Sequence, residues 1–323
     1  SHPDGMARGI SGQSIAMRRR EFIGGTALAM GAREAQGRGL PQPGAPQKSC
    51  ILLLMVGGVS QLDTFDPKPE APSHIRSPFK AIKTSVPGMQ ISELFPKLAR
   101  EAHRFSLIRS MHYPAPLLHD EGLRLAQPEL ARSVVLPRQL GLTGGNLAQG
   151  QDEAHFLNPG ALTAAEPERL RARYGSSLFG QSCLAARCLV ETETRFVTVN
   201  MFDTVFGAPS WDMHGYSPFS SFATYRDVAG PIFDMAVSAL LSDLDERGLL
   251  DTTMVVGATE FGRSPYLNPT GGRDHWSNCW STLVAGGGWP GGEIYGSSDE
   301  HGAEPRDNPM TPLQLVSRMQ AVA

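Results

Sequence analysis

The sequence predicts an α/β protein built on one mostly parallel sheet with helices on both faces. Three observations predict it. Short apolar, β-rich runs alternate with helical patterns through residues 50–290, as strand–helix–strand units do when they lay out a parallel sheet. The first run, Cys50–Val56, is apolar without a break, the mark of a central strand buried on both faces. Acidic and imidazole side chains recur just after the predicted strands, where the loops at the carboxyl ends of such a sheet build sites.

Taken in order, Cys50–Val56 is the first strand, and Gly57-Gly58 ends it. Ser92–His103 carries apolar residues at Leu94, Phe95, Leu98, Ala99 and Ala102, which predicts an amphipathic helix with Ser92 as N-cap and Pro96 in its first turns. Arg104–Met111 alternates and reads as the next strand. His112, His119, Asp120 and Glu121 follow it as ligands, substrate contacts or the polar start of a short helix. Residues 133–165 read as irregular, and Thr143-Gly144-Gly145-Asn146 is a turn cluster that lacks the Lys-Ser/Thr end of a phosphate loop. Ser177–Thr192 has helical spacing, with Cys183 and Cys188 among its apolar positions. Arg195–Phe202 is a strand ending at Asp203. Tyr225–Gly248 is a helix of 3.6 period with Gly248 at its C-terminal cap. Thr252–Glu260 and Ser281–Ala285 are strands, Gly292–Gly296 is an edge strand, and Thr311-Pro312 opens a final helix.

Composition bounds the function. The 323 residues are 41% hydrophobic and 19% charged, as in a globular protein, and the net charge of -3 argues against a nucleic-acid partner. Four cysteines show neither the density of a disulfide scaffold nor the spacing of a zinc motif. Residues 17–32 join a basic cluster to a short, weakly apolar run, and Arg19-Arg20-Glu21-Phe22-Ile23 reads as a twin-arginine export signal. Residues 33–48 are rich in Gly, Pro and Gln and read as a linker. The expected organisation is a leader over residues 1–48 and one domain over residues 49–323, exported to the periplasm or beyond. No segment after the leader has the length or apolarity of a membrane helix.

The chemistry sits after the strands. Asp63 follows the first one, while Asp66 before Pro67 reads as a turn residue. Asp212 and His214, two apart in a loop beside Trp211, can face one ion. Glu260 ends the Thr252–Glu260 strand, and Asp274 and His275 adjoin in a Gly-rich loop. Carboxylates and imidazoles together hold divalent cations or run acid–base chemistry. In a parallel sheet Asp63, His112, Asp203, Asp212, His214, Glu260, Asp274 and His275 all emerge at one rim. His with carboxylates suits zinc, manganese or iron, whereas calcium prefers oxygen ligands alone.

These motifs resemble a known bacterial family, the domain-of-unknown-function 1501 proteins. The resemblance rests on the twin-arginine leader, on Gly57-Gly58-Val59-Ser60-Gln61-Leu62-Asp63-Thr64-Phe65-Asp66-Pro67-Lys68-Pro69 and on Leu107-Ile108-Arg109-Ser110-Met111. Trp211-Asp212-Met213-His214, Thr259-Glu260-Phe261-Gly262-Arg263-Ser264-Pro265, Gly272-Arg273-Asp274-His275-Trp276 and His301-Gly302-Ala303-Glu304-Pro305 carry it further. The family is placed in the alkaline phosphatase and sulfatase superfamily. That placement implies a three-layer α/β/α sandwich, alkaline-phosphatase-like, with divalent metal at the strand ends. It implies Asp63, Asp212, His214, Glu260, Asp274 and His275 as ligands, and hydrolysis of phosphate or sulfate esters on a small-molecule or polysaccharide substrate. His275 would ligate or act as the acid, Arg263 or Arg273 would clamp the anion, and Thr64 and Ser110 are the candidate hydroxyl nucleophiles. The chain departs from the pattern after Gln127, where the middle region is short, and it lacks the sulfatase nucleophile motif. Those departures favour the alternative of a non-catalytic exported binding protein that keeps the fold.

Overall fold

The computed structural model describes residues 48–126, 134–136, 158–205, 207 and 209–320. The stretches read as a twin-arginine leader, as most of a linker, as the Thr143–Asn146 turn and as the departure after Gln127 lie outside the described residues. The main sheet has seven strands, labelled here in chain order: β1 (Ser49–Leu54), β2 (Phe105–Met111), β3 (Val134–Leu136), β4 (Phe196–Asn200), β5 (Thr253–Ala258), β6 (Trp280–Ala285) and β7 (Ile294–Tyr295). They lie in the order β7-β2-β6-β5-β1-β4-β3. β1 pairs in parallel with β4 and β5, β3 with β4, and β7 with β2. Only β6 is reversed, antiparallel to both β2 and β5.

Alternation along the central strands divides the core into two layers. Ile51 and Leu53 of β1 pack with the helices Leu178–Glu191 and Gly230–Glu246, through residues such as Leu184, Phe233 and Leu240. Cys50 and Leu52 of the same strand face the opposite way, against Leu315, Val316 and Met319 of the helix Pro312–Gln320. The result is the mostly parallel, three-layer α/β/α arrangement that the sequence predicts. No helix among the described residues is long and apolar enough to cross a membrane.

Most predicted elements lie within a residue or two of the observed ones, and two differ. Ser92 ends a short strand, Gln90–Ser92, that pairs with Ala81–Lys83, and its N–H donates to the Thr64 carbonyl. The helix begins only at Leu98, as a 3-10 turn to Arg104. The delay has a tertiary cause: the Asp234 carboxylate accepts from the N–H groups of Lys97 and Leu98 and so caps the helix after Pro96. The second difference is β3, which lies within a stretch read as irregular and extends the sheet at its β4 edge. The helix predicted from Tyr225 opens with a π turn, Tyr225–Ala229, and becomes regular at Gly230.

Candidate metal centre

The six parallel strands send their carboxyl ends to one rim, and the reversed strand β6 begins there. That single reversal is why His275, which precedes β6, lies beside residues that follow β1, β2, β4 and β5. His275 is brought inward by a two-residue hairpin in which Arg263 pairs with His275 and Gly262 with Trp276. Asp212 follows β4 and is pinned from below. Its neighbour Trp211 is buried in the core, donates Nε1–H to the Met201 sulfur and accepts at its carbonyl from the Tyr225 hydroxyl at 2.7 Å. Trp211 therefore anchors the loop from the core side. Gly57, at φ 115°, lets the turn after β1 press on this loop, where a Cβ would stand 2.2 Å from the Asp212 nitrogen.

His119 opens the helix His119–Ala126, and that helix lies against the end of β5. Gly122, one turn on, makes the approach possible: a Cβ there would stand 2.6 Å from Glu260 Cβ. His119 Nδ1 consequently meets Glu260 Oε1 at 2.6 Å. A carboxylate can only accept, so Nδ1 carries the hydrogen and Nε2 faces Asp212 Oδ2 at 3.7 Å. Glu260 is itself held by the Gly57 N–H at 2.7 Å and the Thr259 hydroxyl at 3.0 Å.

His119, Asp212 and His275 each present one donor atom, and the three atoms lie within 4.8 Å of one another. His275 Nε2 stands 3.5 Å from Asp212 Oδ1, is buried, and has no hydrogen-bond partner. A buried imidazole nitrogen without a partner is costly in isolation. The spacings exceed hydrogen-bond length: His119 Nε2 lies 3.7 Å from Asp212 Oδ2 and His275 Nε2 3.5 Å from Oδ1. Two donors held about 2.0–2.1 Å from one tetrahedral zinc stand roughly 3.4 Å apart, close to the separations seen here. Phe261 lies against both imidazoles, with ring centroids 4.4 Å from His275 and 5.0 Å from His119, and lowers the local polarity. The donor set of two imidazoles and a carboxylate therefore fits a divalent ion of the zinc, manganese or iron type.

Charge balance agrees with that fit. Burial opposes a charge on His119, but the facing Asp212 carboxylate and the hydrogen bond to Glu260 outweigh it and raise its pKa to about 9 without an ion. Burial disfavours the Asp212 carboxylate, yet the close approach of His119, His214 and His275 and the charge of Arg263 hold it well below the usual range. Burial also works against the Glu260 carboxylate, and its contact with His119 again outweighs it. Burial lowers the pKa of His275 and favours the neutral ligand form.

The structure sorts the sequence-predicted residues into different places. Asp212 and His275 meet in the cluster, and His119 completes it. Glu260 stands behind His119 rather than in the cluster. His214 Nε2 lies 2.9 Å from Asp212 Oδ1, and its Nδ1 is 3.6 Å from Asp274. Asp274 is 65% exposed and accepts from Asn268 Nδ2. Asp63 is turned away, fully buried in an ion pair with Arg273 at 2.8 Å and accepting from the Ser60 hydroxyl. Arg263 and Arg273 are both fully buried and engaged with backbone carbonyls and carboxylates, so neither guanidinium faces an incoming anion. The Thr64 hydroxyl donates to the Ser60 carbonyl and the Ser110 hydroxyl to the Asn308 carbonyl. His112 bonds through its backbone to Met310, and Asp203 is exposed. The sequence signal for His119 was present in the His119-Asp120-Glu121 stretch, but a helix start explained it equally well.

The family model described as "Protein of unknown function (DUF1501)" matches residues 47–127 and 152–322. No curated protein matches the chain. Among solved structures it is similar to the C-terminal periplasmic domain of EcEptC from Escherichia coli in complex with Zn, at 11% identity over 88% of this chain and 84% of that one, TM-score 0.45. It is also similar to the lipoteichoic acid synthase LtaP from Listeria monocytogenes, at 8% identity over 86% and 72%, TM-score 0.44. A third is a protein in the alkaline phosphatase superfamily from Vibrio parahaemolyticus, at 10% identity over 85% and 70%, TM-score 0.41. At these identities the likeness carries nothing about activity.

Proposed function

The chain belongs to the DUF1501 family, and from that premise we propose that it is an exported, metal-dependent hydrolase of phosphate or sulfate esters. The observation that carries the reading is the His119–Asp212–His275 triangle, with its buried, unpartnered His275 nitrogen and its ligand-like spacings. Three protein ligands leave a position open, as in catalytic rather than structural sites. A bound divalent ion supplies Lewis-acid polarisation of an ester oxygen. The chain's own residues do the rest. Glu260 keeps the hydrogen of His119 on Nδ1 and so keeps Nε2 available, and Phe261 limits water around the imidazoles.

The experiment is elemental analysis of purified protein beside turnover of 4-nitrophenyl phosphate and 4-nitrophenyl sulfate with zinc or manganese added. Wild type holds one ion per chain and turns over one of the two esters, and His275→Ala holds none and is inactive. Unchanged metal content in His275→Ala would sink the reading. A second reading, an exported metal-binding protein without catalysis, is favoured by the two hydroxyls, since Thr64 and Ser110 both donate to backbone carbonyls. Stoichiometric metal with no turnover of either ester supports that alternative.

A further inference from the structure

The metal reading leaves the loop of residues 213–220 without a role. The loop departs from Asp212 and returns beside it. At its neck the Gly215 N–H donates to the Ser220 carbonyl at 3.0 Å, and the Ser220 N–H donates to the Asp212 carbonyl at 2.9 Å. Its flank is tied to the loop that leads to His275. The Arg273 N–H donates to the Met213 carbonyl at 2.9 Å, and the Thr270 hydroxyl and the Asn268 amide donate to the His214 carbonyl at 2.6 and 3.3 Å. The tip of the loop is therefore held in place relative to Asp212 and His275.

The tip carries aromatic rings. Tyr216 and Phe219 pack edge-on with centroids 5.4 Å apart, and the His214 ring lies 6.3 Å from the first and 4.8 Å from the second. His214 in turn lies 5.1 Å from His275, and His275 lies 4.4 Å from Phe261. One series of rings thus runs from Phe261, through an imidazole of the metal cluster, out to Tyr216. The spacings from His275 outward are those of stacked or edge-to-face pairs. Exposure grows along the series: Phe261 is fully buried, His275, His214 and Phe219 are partly buried, and Tyr216 is 49% exposed.

Packing explains the inner rings better than the outer ones. Tyr216 keeps half its surface in solvent, so it adds little to the core, yet its loop is clamped at neck and flank. Apolar walls beside a few placed polar groups are the make-up of a ligand site. Continuity with the cluster says what occupies it. An ion at the cluster attracts an anion, and an organic group that the anion carries past His214 meets Phe219 and Tyr216. An aryl ring suits them, because the negative face of one ring attracts the positive edge of another. A loop already held in place also loses little freedom when the ring arrives.

We propose that Tyr216 and Phe219 form a subsite for an aryl group carried by the anion that the metal centre binds. This rests on the metal reading above and adds to it the class of organic group on the ester.

The test is calorimetric titration of the zinc-loaded full chain with phenylphosphonate and with methylphosphonate. Neither probe is an ester, so binding is read without turnover. The proteins are wild type, Tyr216→Ala, Tyr216→Phe, Phe219→Leu and His275→Ala. Elemental analysis gives the zinc content of each, thermal melting checks the fold, and gel filtration gives the oligomeric state. Wild type holds one zinc and binds phenylphosphonate about tenfold or more tightly than methylphosphonate, from the apolar area covered and the ring contact. Tyr216→Ala keeps its zinc, and the phenyl-over-methyl ratio falls about 2–10-fold, the equivalent of one aromatic pair. Phe219→Leu lowers the ratio in the same direction, and Tyr216→Phe, which keeps the ring, keeps the ratio. His275→Ala holds no zinc and binds neither probe. A zinc-loaded wild type that binds neither phosphonate or shows no phenyl preference overturns the inference and leaves the metal reading intact. So does a preference that survives both Tyr216→Ala and Phe219→Leu. A change of oligomeric state in Tyr216→Ala with the preference unchanged makes the rings a contact between chains and overturns the inference as well. A wild-type chain that takes up no zinc overturns the metal reading, and the subsite falls with it.

Discussion

At the scale of single residues, the site is built from carboxylates that act on imidazoles. Glu260 illustrates the point. It lies two residues past the end of β5, close to the strand end that the sequence predicts, but its carboxylate reaches His119 Nδ1 and not the cluster. Glu260→Gln keeps the shape and removes the charge. The expected effect is a loss of about 10–100-fold in metal affinity with one ion still bound, measured by chelator competition. The pH dependence has a definite sign. In the metal-free protein burial works against the charge, but the facing Asp212 carboxylate and the hydrogen bond to Glu260 overcome it and raise His119 to about 9, so the protonated ring is favoured below that pH. An ion must displace that proton, so wild-type affinity climbs as pH rises toward about 9 and levels above it. In Glu260→Gln the proton is held less well, and the same curve flattens at lower pH. A pH profile unchanged by the substitution would show that Glu260 does not govern His119. Asp63 illustrates what residue type alone could not reveal. It sits where a ligand would, yet Arg273, 210 positions away, claims its carboxylate.

At the scale of elements, the short helix His119–Ala126 is decided by one glycine. Gly122 rests on Glu260, with no room for a methyl group between them. Alanine raises intrinsic helix propensity by about 1 kcal/mol over glycine, so on propensity alone Gly122→Ala should stabilise. Forcing a methyl into a filled contact costs typically about 1–3 kcal/mol, and this term wins. The helix must then move off β5 and carry His119 with it. The expected result is an unchanged or lower melting temperature and a fall in metal affinity of tenfold or more; a more stable protein with unchanged affinity would show the contact to be loose. The elements themselves were mostly legible. Cys50–Val56, Arg195–Phe202 and Ser177–Thr192 declare their type through composition and period, because burial on two faces or on one helical stripe leaves a local pattern. The Ser92–His103 helix was not legible, because its start is set by Asp234 and its first residue is drawn into a strand by the Thr64 carbonyl. Local periodicity contains neither partner.

At the scale of the whole molecule, the parallel rim was legible and the reversal of β6 was not. An apolar run of six residues carries no direction, so Trp280–Ala285 could be placed in the sheet but not oriented. Its reversal is what brings His275 to the rim. The cluster therefore joins residues 119, 212 and 275, each from a different crossing of the sheet. A ligand that binds only the folded chain stabilises all of it by mass action, and an ion at 100 times its Kd contributes about 2.7 kcal/mol. For a domain of this size that corresponds to a rise in Tm of about 5 °C. A structural zinc of the kind that small domains need to fold at all would behave differently, since its removal unfolds the chain. Here the apolar core on both faces of the sheet is formed without the site. Stripping the ion with EDTA should therefore lower Tm by about that amount and leave the far-ultraviolet circular dichroism unchanged. Adding zinc back should restore the melting point in wild type and leave His275→Ala where it was. If EDTA unfolded the protein outright, the ion would belong to the core's stability, and the open, exchangeable centre argued for here would be the wrong description.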